Sequence, residues 1–192
     1  PPDRQVSESR EGGQSVRKLI EGATTLVAAL AFTVSGALGS AEQTPGVTAK
    51  QIVVGGTFPL TGPAAVYAPI PLGMQAYFSF INNRKGPYGK IGVYGRRIVW
   101  KFYDDGYNPA NTVQLTRKLV EEDKVFATVG QLGTEHNLAV RPYLNQQRVP
   151  QTLVSTGASF WGTQYKEYPW TIGWQPDYIA EGRIYGVHIK AN

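Results

Sequence analysis

The feature that most constrains the fold of this chain is the regular alternation of strand and helix patterns between Gln51 and Ala158. Short apolar runs that favour strands are followed by stretches with the spacing of one buried helical face. This alternation predicts an α/β fold, an open parallel-sheet lobe with helices on both faces. The carboxyl ends of parallel strands meet at one edge, where the following loops form a ligand crevice.

Five apolar runs supply the predicted strands, and turn residues bound each of them. In the second run Ile98, Trp100 and Phe102 alternate with their neighbours, which is the periodicity of a strand. The runs lie at 52–57, 98–103, 125–130, 150–154 and 168–173.

Four helices are predicted between and after these strands, at 73–83, 109–123, 135–146 and 179–191. The second begins at Asn108-Pro109, because Asn caps free amides and Pro suits the first helical position. Pro142 should bend the third helix or delay its start. The first helix has one predicted buried face, formed by Met74, Tyr77, Phe78 and Ile81.

The segment 17–41 has the order of an export signal. Arg17-Lys18 is a short basic region, residues 23–38 are mostly apolar and uncharged, and small residues precede a cleavage point expected after Ala41. A transmembrane anchor and a buried helix are the alternatives. The apolar run falls short of the roughly 20 residues needed to span a membrane, and no amphipathic pattern supports a buried helix.

Composition excludes several classes of site. The chain has no Cys, which rules out disulfides, thiolate nucleophiles and lipid attachment through a Cys near the cleavage point. The net charge of +5 lies entirely within residues 42–192, but its basic residues are scattered pairs rather than a block. No nucleic-acid surface is therefore predicted.

The sequence lacks the usual catalytic and cofactor motifs. No phosphate-binding Walker loop, dinucleotide fingerprint or nucleophile elbow occurs. Asp104-Asp105 is interpreted as an acidic strand end and turn, with acid–base or Mg²⁺ chemistry as the weaker alternative. His136 is interpreted as a surface or crevice-rim residue, with metal ligation as the minor option. We therefore expect no enzyme, no metal and no cofactor.

With catalytic and cofactor motifs absent, the polar and aromatic residues at the predicted strand ends are interpreted as a ligand-binding crevice. Thr134 is expected at a helix N-terminus, where free amides and the helix dipole favour an anion such as a carboxylate. Residues 155–158 offer hydroxyls and a close backbone approach, and Tyr67 and Tyr107 could form apolar walls. Ordinary turn chemistry explains each feature alone. Their occurrence at successive strand ends favours a ligand site.

Together these residues resemble a known family. After the export signal come the segments Ile52–Pro63, Tyr103–Pro109, Val129-Gly130 with Thr134, and Val149-Pro150 leading to Ser155–Ala158. Their order is similar to that in the periplasmic solute-binding proteins of branched-chain amino acid ABC transporters, which have the type I periplasmic binding fold. The resemblance runs from about Gln51 to the end of the chain.

The resemblance implies two α/β lobes joined by three crossovers and closing on a ligand. It assigns residues 42–173 to the N-terminal lobe, and 174–192 to a crossover and the first helix of an incomplete second lobe. The chain is thus interpreted as truncated. Residues 1–41, which precede the resemblance, are interpreted from their own pattern as a polar leader plus signal peptide. The residues that the resemblance places at the ligand are Tyr67, Leu132, Gly133, Thr134, Ser155, Thr156, Gly157 and Ala158, with Tyr107 and Gln131 as secondary candidates.

The function implied is that of an exported solute-binding component of an ABC importer, with a membrane permease as partner. It would be periplasmic or extracellular, soluble after signal cleavage and not lipid-anchored. Its ligand would be an amino acid or another small organic molecule. A ligand-sensing domain of the same fold, for amides, urea or aromatic acids, is the alternative. An exported enzyme is disfavoured because no nucleophile–base pair is present.

Overall fold

The structure is a computed structural model that describes residues 44–192. The predicted leader and signal segment lie outside the described residues. Five strands form one sheet in the order β2-β1-β3-β4-β5, and every neighbouring pair is parallel. The predicted open parallel sheet is therefore confirmed. The strands are β1 Gln51–Phe58, β2 Arg97–Asp104, β3 Ala127–Val129, β4 Gln151–Val154 and β5 Thr171–Gly173.

The strands differ in length more than the sequence predicts. β1 and β2 pair over eight residues, from Gln51 opposite Arg97 to Phe58 opposite Asp104. β3 and β5 have three residues each and are shorter than the runs predicted for them. Val125 is apolar but lies before β3, where it packs into the core instead of joining the ladder.

Five helices connect or follow the strands. They are α1 Pro69–Asn83, α2 Pro109–Glu121, α3 Thr134–Gln146, the short α4 Phe160–Thr163, and α5 Tyr178–Ala191. A 3₁₀ turn at Ala65–Tyr67 precedes α1. The sequence did not predict α4.

Local chemistry explains where these helices begin. The Asn108 side chain accepts a hydrogen bond from the Ala110 amide at 2.9 Å, as its capping role predicts. α1 begins four residues before the predicted start, because proline is tolerated in a first turn, where its missing donor would be unpaired anyway. Pro142 does not delay α3, which already begins at Thr134.

One face of the sheet carries the main hydrophobic core. Right-handed crossovers put α2 and α3 on this face and α1 on the other, and α2 and α3 pack against each other. We call this the α2/α3 face. Its buried core consists of Val53, Leu119, Val125, Val140, Leu144 and Val149.

The opposite face, which we call the α1 face, has an aromatic layer. Trp100 lies at its centre, with ring centroids 5.5 Å from Phe78 and 5.9 Å from both Phe58 and Phe102. Asn82 fastens α1 to the edge strand β2. Its side-chain amide donates to the carbonyl of Ile98 and accepts from the Ile98 amide, both at 2.7 Å.

The predicted buried face of α1 is only partly correct. Met74, Phe78 and Ile81 are half-buried, but Tyr77 is 60% exposed. Among the described elements α1 packs mainly on β1 and β2 and not on another helix, so the side of α1 on which Tyr77 lies is left open.

α5 is an exposed helix. None of its residues is buried, and its apolar side chains at Ile179, Ile184, Tyr185, Val187 and Ile189 are all exposed. Asp177 caps it by accepting hydrogen bonds from the amides of Ile179 and Ala180 at 2.6 and 3.3 Å. No helix within residues 44–192 is long and apolar enough to cross a membrane.

Candidate functional site

The carboxyl ends of all five strands meet at one edge of the sheet, which we call the crevice edge. Asp104, at the end of β2, joins the loop that follows β1 to the loop that follows β2. Its side chain accepts hydrogen bonds from the amides of Leu60, Thr61 and Gly106 and from the Thr61 hydroxyl, at 2.6 to 3.1 Å. Burial alone would raise the pKa of Asp104, but these donors lower it below the usual value of 3.8.

Asp105 also has a structural role. Its carboxylate is buried, accepting from the Tyr107 amide and from the Thr112 hydroxyl, each at 2.9 Å. The interpretation of Asp104-Asp105 as a strand end and turn is consistent with these contacts. Within residues 44–192, no group of three or more His, Cys, Asp or Glu side chains could hold a metal ion.

Thr134 and Thr156 come together at the centre of the crevice edge. Thr134 is the first residue of α3, Thr156 follows β4, and their hydroxyl oxygens lie 2.5 Å apart. One hydroxyl donates to the other, so the second keeps a proton that it can donate elsewhere. Among the described residues no side chain caps α3. The first amides of a helix have no intrahelical partner, so they are available to an anion.

Gly133 permits this arrangement. It lies just before α3 with φ 101° and ψ 134°, a conformation that side chains rarely adopt. A Cβ at this position would also collide with the imidazole of His136. The backbone therefore turns sharply into α3 and directs its first amides towards the crevice edge.

The interpretation of His136 as a surface or rim residue is wrong. His136 is only 2% exposed, and the ring of Tyr107 covers it, with centroids 4.2 Å apart. Among residues 44–192 neither ring nitrogen has a hydrogen-bond partner. Two features of the chain bury this side chain: the absence of a Cβ on Gly133, and the positive φ of Tyr107, which turns its ring towards α3.

Tyrosines lie around this part of the edge. The pKa of Tyr107 is raised, first by burial and then by Glu135, Tyr67, Tyr178 and Asp105 nearby. Tyr67 and Tyr107 are both partly exposed. The structure thus brings the two predicted aromatic residues to one region of the crevice edge and adds Tyr178 from α5.

The turn after β4 is held by several contacts. The Ser155 hydroxyl donates to the Gly130 carbonyl at 3.0 Å and accepts from the Trp174 indole at 3.5 Å. Leu132 and Ser155 form an isolated parallel bridge that extends the β3–β4 pairing. The structure therefore uses the Ser155 proton to position the turn.

Gly157 and Ala158 face the crossover that follows β5. The Gly157 carbonyl accepts from the Tyr178 amide at 2.8 Å, and a Cβ on Gly157 would collide with Pro176 and the Tyr178 ring. A cavity of about 300 Å³ lies between this turn and the crossover; its lining includes Thr156, Gly157, Ala158, Trp161, Trp174 and Asp177. Several predicted site residues therefore share one concave surface.

Gln131 is directed elsewhere. It is buried, and its amide nitrogen donates to the hydroxyls of Thr57 and Thr116 at 3.1 and 3.2 Å. These partners belong to β1 and α2 on the α2/α3 face. The side chain of Gln131 therefore points into the protein interior and joins β1 to α2, and it does not face the crevice edge.

Sequence reasoning did not select His136, Trp174, Asp177 or Tyr178. Only Asp177 carried a usable signal, because Asp before an apolar run is a typical helix cap. The Ser159 hydroxyl and then the Ile179 amide lower the pKa of Asp177, so it is a carboxylate on the wall of the cavity.

The model of the periplasmic binding protein family matches residues 51–191. The chain belongs to this family. Its lobe has the type I fold found in leucine/isoleucine/valine-binding proteins. A comparison with curated protein sequences found no match.

Several solved structures are similar. A possible leucine/isoleucine/valine-binding protein from Rhodopirellula baltica SH 1 is 26% identical with a TM-score of 0.63, over 74% of this chain and 36% of that one. A substrate-binding periplasmic protein from Ralstonia solanacearum is 26% identical with a TM-score of 0.58, over 67% of this chain and 34% of that one. An ABC transporter solute-binding protein from Rhodopseudomonas palustris BisB5, in complex with 3,4-dihydroxybenzoic acid, is 28% identical with a TM-score of 0.50. The match covers 62% of this chain and 30% of that one. The chain spans about a third of the length of these relatives.

Proposed function

We propose that this chain supplies a ligand-binding lobe to the extracytoplasmic solute-binding component of an ABC importer. The ligand is a small polar organic molecule, such as a branched-chain or other amino acid, held in a crevice between two lobes. The observation that carries this proposal is the Thr134–Thr156 hydroxyl pair at the uncapped start of α3. The family membership and the descriptions of the similar structures support it.

The chemistry of the crevice edge suits a carboxylate. The open amides of α3 and the positive end of its dipole attract negative charge, and the free hydroxyl proton of the threonine pair adds a donor. Leu132, Gly133, Ser155, Gly157 and Ala158 shape the backbone around these donors. Tyr67 and Tyr107 provide aromatic surface beside them for the apolar part of the ligand.

The domain boundaries form part of the proposal. Residues 42–173 constitute the N-terminal lobe, and 174–192 constitute the crossover and the first helix of a second lobe. A two-lobed binder buries its ligand by hinge closure, so the second lobe supplies the remaining contacts. The exposed apolar side chains of α5 agree with a helix that belongs to such a lobe.

Export and a permease partner are also proposed. The segment 17–41 directs export and is cleaved after Ala41, and a membrane permease receives the ligand. N-terminal sequencing of the secreted protein tests the first point, since a mature chain that retains Arg17–Leu38 contradicts it. Deletion of the gene tests the second, because a sensing domain of the same fold would bind ligand without supporting uptake.

Thr134 is the residue to test. In a protein carrying both lobes, Thr134→Ala should weaken the binding of a carboxylate ligand by about 1.5–3 kcal/mol, the usual worth of a hydrogen bond to a charged group. Thr134→Ser keeps the hydroxyl and should bind nearly as tightly as wild type. Thr163→Ala removes an exposed hydroxyl outside the crevice edge and serves as the matched control.

Calorimetric titrations with leucine and with 3,4-dihydroxybenzoic acid provide two probes of different shape. Whichever probe binds wild type should lose affinity in Thr134→Ala and recover it in Thr134→Ser. Equal affinity of Thr134→Ala and wild type for that probe would remove Thr134 from the site.

A further inference from the structure

A second cavity lies far from the crevice edge. It has a volume of about 660 Å³ and is built on the segment that joins α1 to β2. This segment enters β2 at its amino end, so the cavity belongs to the edge of the sheet opposite the crevice. We call it the basic cavity. Its apolar wall comes from Ile81, Pro87, Tyr88, Val93 and Tyr94.

The same cavity is lined by three cations, Arg84, Lys85 and Lys90, and by no acidic residue. Within residues 44–192 none of the three pairs with a carboxylate, since the ion pairs found there join Lys101 to Asp123 and Arg117 to Glu121. An apolar cavity with unneutralised positive charge at its wall is complementary to an anion that has an apolar body.

The charge distribution along the chain strengthens this complementarity. Between Thr44 and Tyr103 there are seven basic residues and no acidic one. Residues 104–192 hold eight basic and nine acidic residues, so their charges nearly cancel. The net positive charge of the described residues therefore lies within residues 44–103, the segment that contains the basic cavity.

The walls of the basic cavity are folded rather than loose. Lys85 bridges Ile91 and Val93 bridges Arg96, both antiparallel. The Gly86 amide donates to the Lys90 carbonyl at 2.9 Å, closing the turn between them. These contacts order the backbone of the site, while the rings of Tyr88 and Tyr94 remain 68% and 63% exposed and accessible to a ligand.

Two further details fix the aromatic wall. The rings of Tyr88 and Tyr94 stack with centroids 4.8 Å apart. Tyr94 has a φ of 54°, which is uncommon for a residue with a side chain and which turns its ring onto Tyr88. Gly92 is required beside it, because a Cβ there would collide with the Arg96 carbonyl.

We propose that the basic cavity is a second binding site, for a small organic anion with an aromatic or aliphatic body, separate from the ligand site at the crevice edge. The anionic head pairs with Arg84, Lys85 and Lys90, and the apolar body packs on Ile81 and the tyrosine pair. A free organic acid is the occupant that fits a cavity of 660 Å³, since drug-sized ligands occupy cavities of about 300–1,000 Å³.

The test uses the full chain and anilinonaphthalene sulfonate, an aromatic sulfonate whose fluorescence reports binding. Octanoate, which has both an anionic head and an apolar body, should displace the probe. Octanol lacks the charge and acetate lacks the body, so neither should compete at the same concentration. Affinity should also fall as salt is raised, because salt screens exposed charges.

A pair of variants with equal charge change localises the effect. Lys85→Glu/Lys90→Glu should weaken probe binding by about tenfold or more, since two cations at the wall are replaced by carboxylates that repel the sulfonate. Lys166→Glu/Lys190→Glu makes the same charge change outside the basic cavity and outside residues 44–103, and it should leave affinity nearly unchanged. Thr134→Ala should also have no effect, because Thr134 lies at the opposite edge.

Amide chemical shifts of wild type provide a readout that needs no variant. Octanoate should shift the resonances of residues 81–94. Shifts confined to Tyr178–Ala191, or equal competition by octanol, would show binding to exposed apolar surface and overturn the proposal. Binding to phosphatidylglycerol vesicles that is lost in Lys85→Glu/Lys90→Glu, without competition by octanoate, would also overturn it and identify a membrane-facing surface instead.

Discussion

The two faces of the sheet are packed by different means. On the α2/α3 face two helices contact each other and enclose six buried apolar side chains, among them Leu119 and Leu144. On the α1 face one helix lies over an aromatic layer centred on Trp100, while Leu72, Tyr77 and Phe80 remain exposed. Both faces are apolar in sequence, so apolar residues alone do not distinguish a covered face from an open one.

The difference shows what each face contributes. The α2/α3 face encloses the buried apolar cluster, and burial of these side chains stabilises the fold because it removes apolar area from water. The α1 face combines the aromatic contact of Phe78 with Trp100 and specific polar contacts, among them the two hydrogen bonds between Asn82 and Ile98. Substitutions on the two faces should therefore differ in size and in kind.

The largest effect is expected on the α2/α3 face. Leu119 is fully buried in the core, so Leu119→Ala should lower the free energy of unfolding by about 2–5 kcal/mol through lost burial and the cavity left behind. Leu72→Ala on α1 is the matched control. Leu72 is exposed, and its loss should change stability by no more than about 0.5 kcal/mol. Urea unfolding monitored by circular dichroism measures the free energy of unfolding of both variants. Similar losses in the two variants would contradict the comparison, because they would mean that Leu72 on the α1 face is covered.

A smaller loss is expected at the crevice end of the α2/α3 face. Gly133→Ala introduces a Cβ that collides with His136 and strains a backbone at φ 101°, so it should destabilise the chain by roughly 1–3 kcal/mol. Gly182→Ala is the control, because a Cβ at Gly182 meets nothing within 4 Å. That change in α5 should be neutral or slightly stabilising. Thermal unfolding of the two variants gives the comparison, and equal stability would show that the Gly133 turn can relax.

On the α1 face the sensitive residue should be Asn82. Asn82→Ala leaves the amide and carbonyl of Ile98 without their partners and should cost about 1–3 kcal/mol. Asn83→Ala is the control, since the Asn83 side chain bonds only within α1, to the Ser79 carbonyl. Hydrogen exchange should show faster exchange of the Ile98 amide in Asn82→Ala alone. An unchanged rate would mean that another group protects the edge of β2.

The smallest effect should appear in acid. The folded pKa of Asp104 is lowered, so its contribution to stability is complete above the unfolded value of 3.8 and disappears as pH falls through the lower folded pKa. Asp104→Asn should therefore reduce the dependence of the unfolding temperature on pH below 3.8. Glu167→Gln, at an exposed residue, is the control. Identical pH profiles of Asp104→Asn and wild type would show that this carboxylate does not couple to folding.

Much of the fold could be predicted because it depends on local pattern. The strand and helix order, the parallel sheet and the cap at Asn108 follow from periodicity and from residue chemistry within a few positions. The exposure of Tyr77 could not be predicted, since the helical spacing is the same whether or not another element covers that side. The shortness of β3 could not be predicted either, because Val125 fits the strand pattern but lies in the core before β3 begins.

The candidate site likewise has features that local sequence predicts and features that depend on residues distant in sequence. Thr134 at the start of α3 was predictable from strand–helix order, but its contact with Thr156 spans 22 residues and depends on the β3–β4 register. The burial of His136 depends on a glycine three positions earlier and on Tyr107 from another loop. The inward direction of Gln131 follows from Thr57 and Thr116, which are far from it in sequence.

The bond between Gly157 and Tyr178 has a mechanical consequence. β5 is the edge strand of the sheet and pairs with β4 alone, and the chain leads from it into α5. The Tyr178 amide is joined directly to the Gly157 carbonyl, and the tyrosine ring lies against the glycine where a side chain would block it. Both contacts tie the start of α5 directly to the Ser155–Ala158 turn. A displacement of the start of α5 is therefore expected to displace the turn as well, because the hydrogen bond and the ring contact join the two.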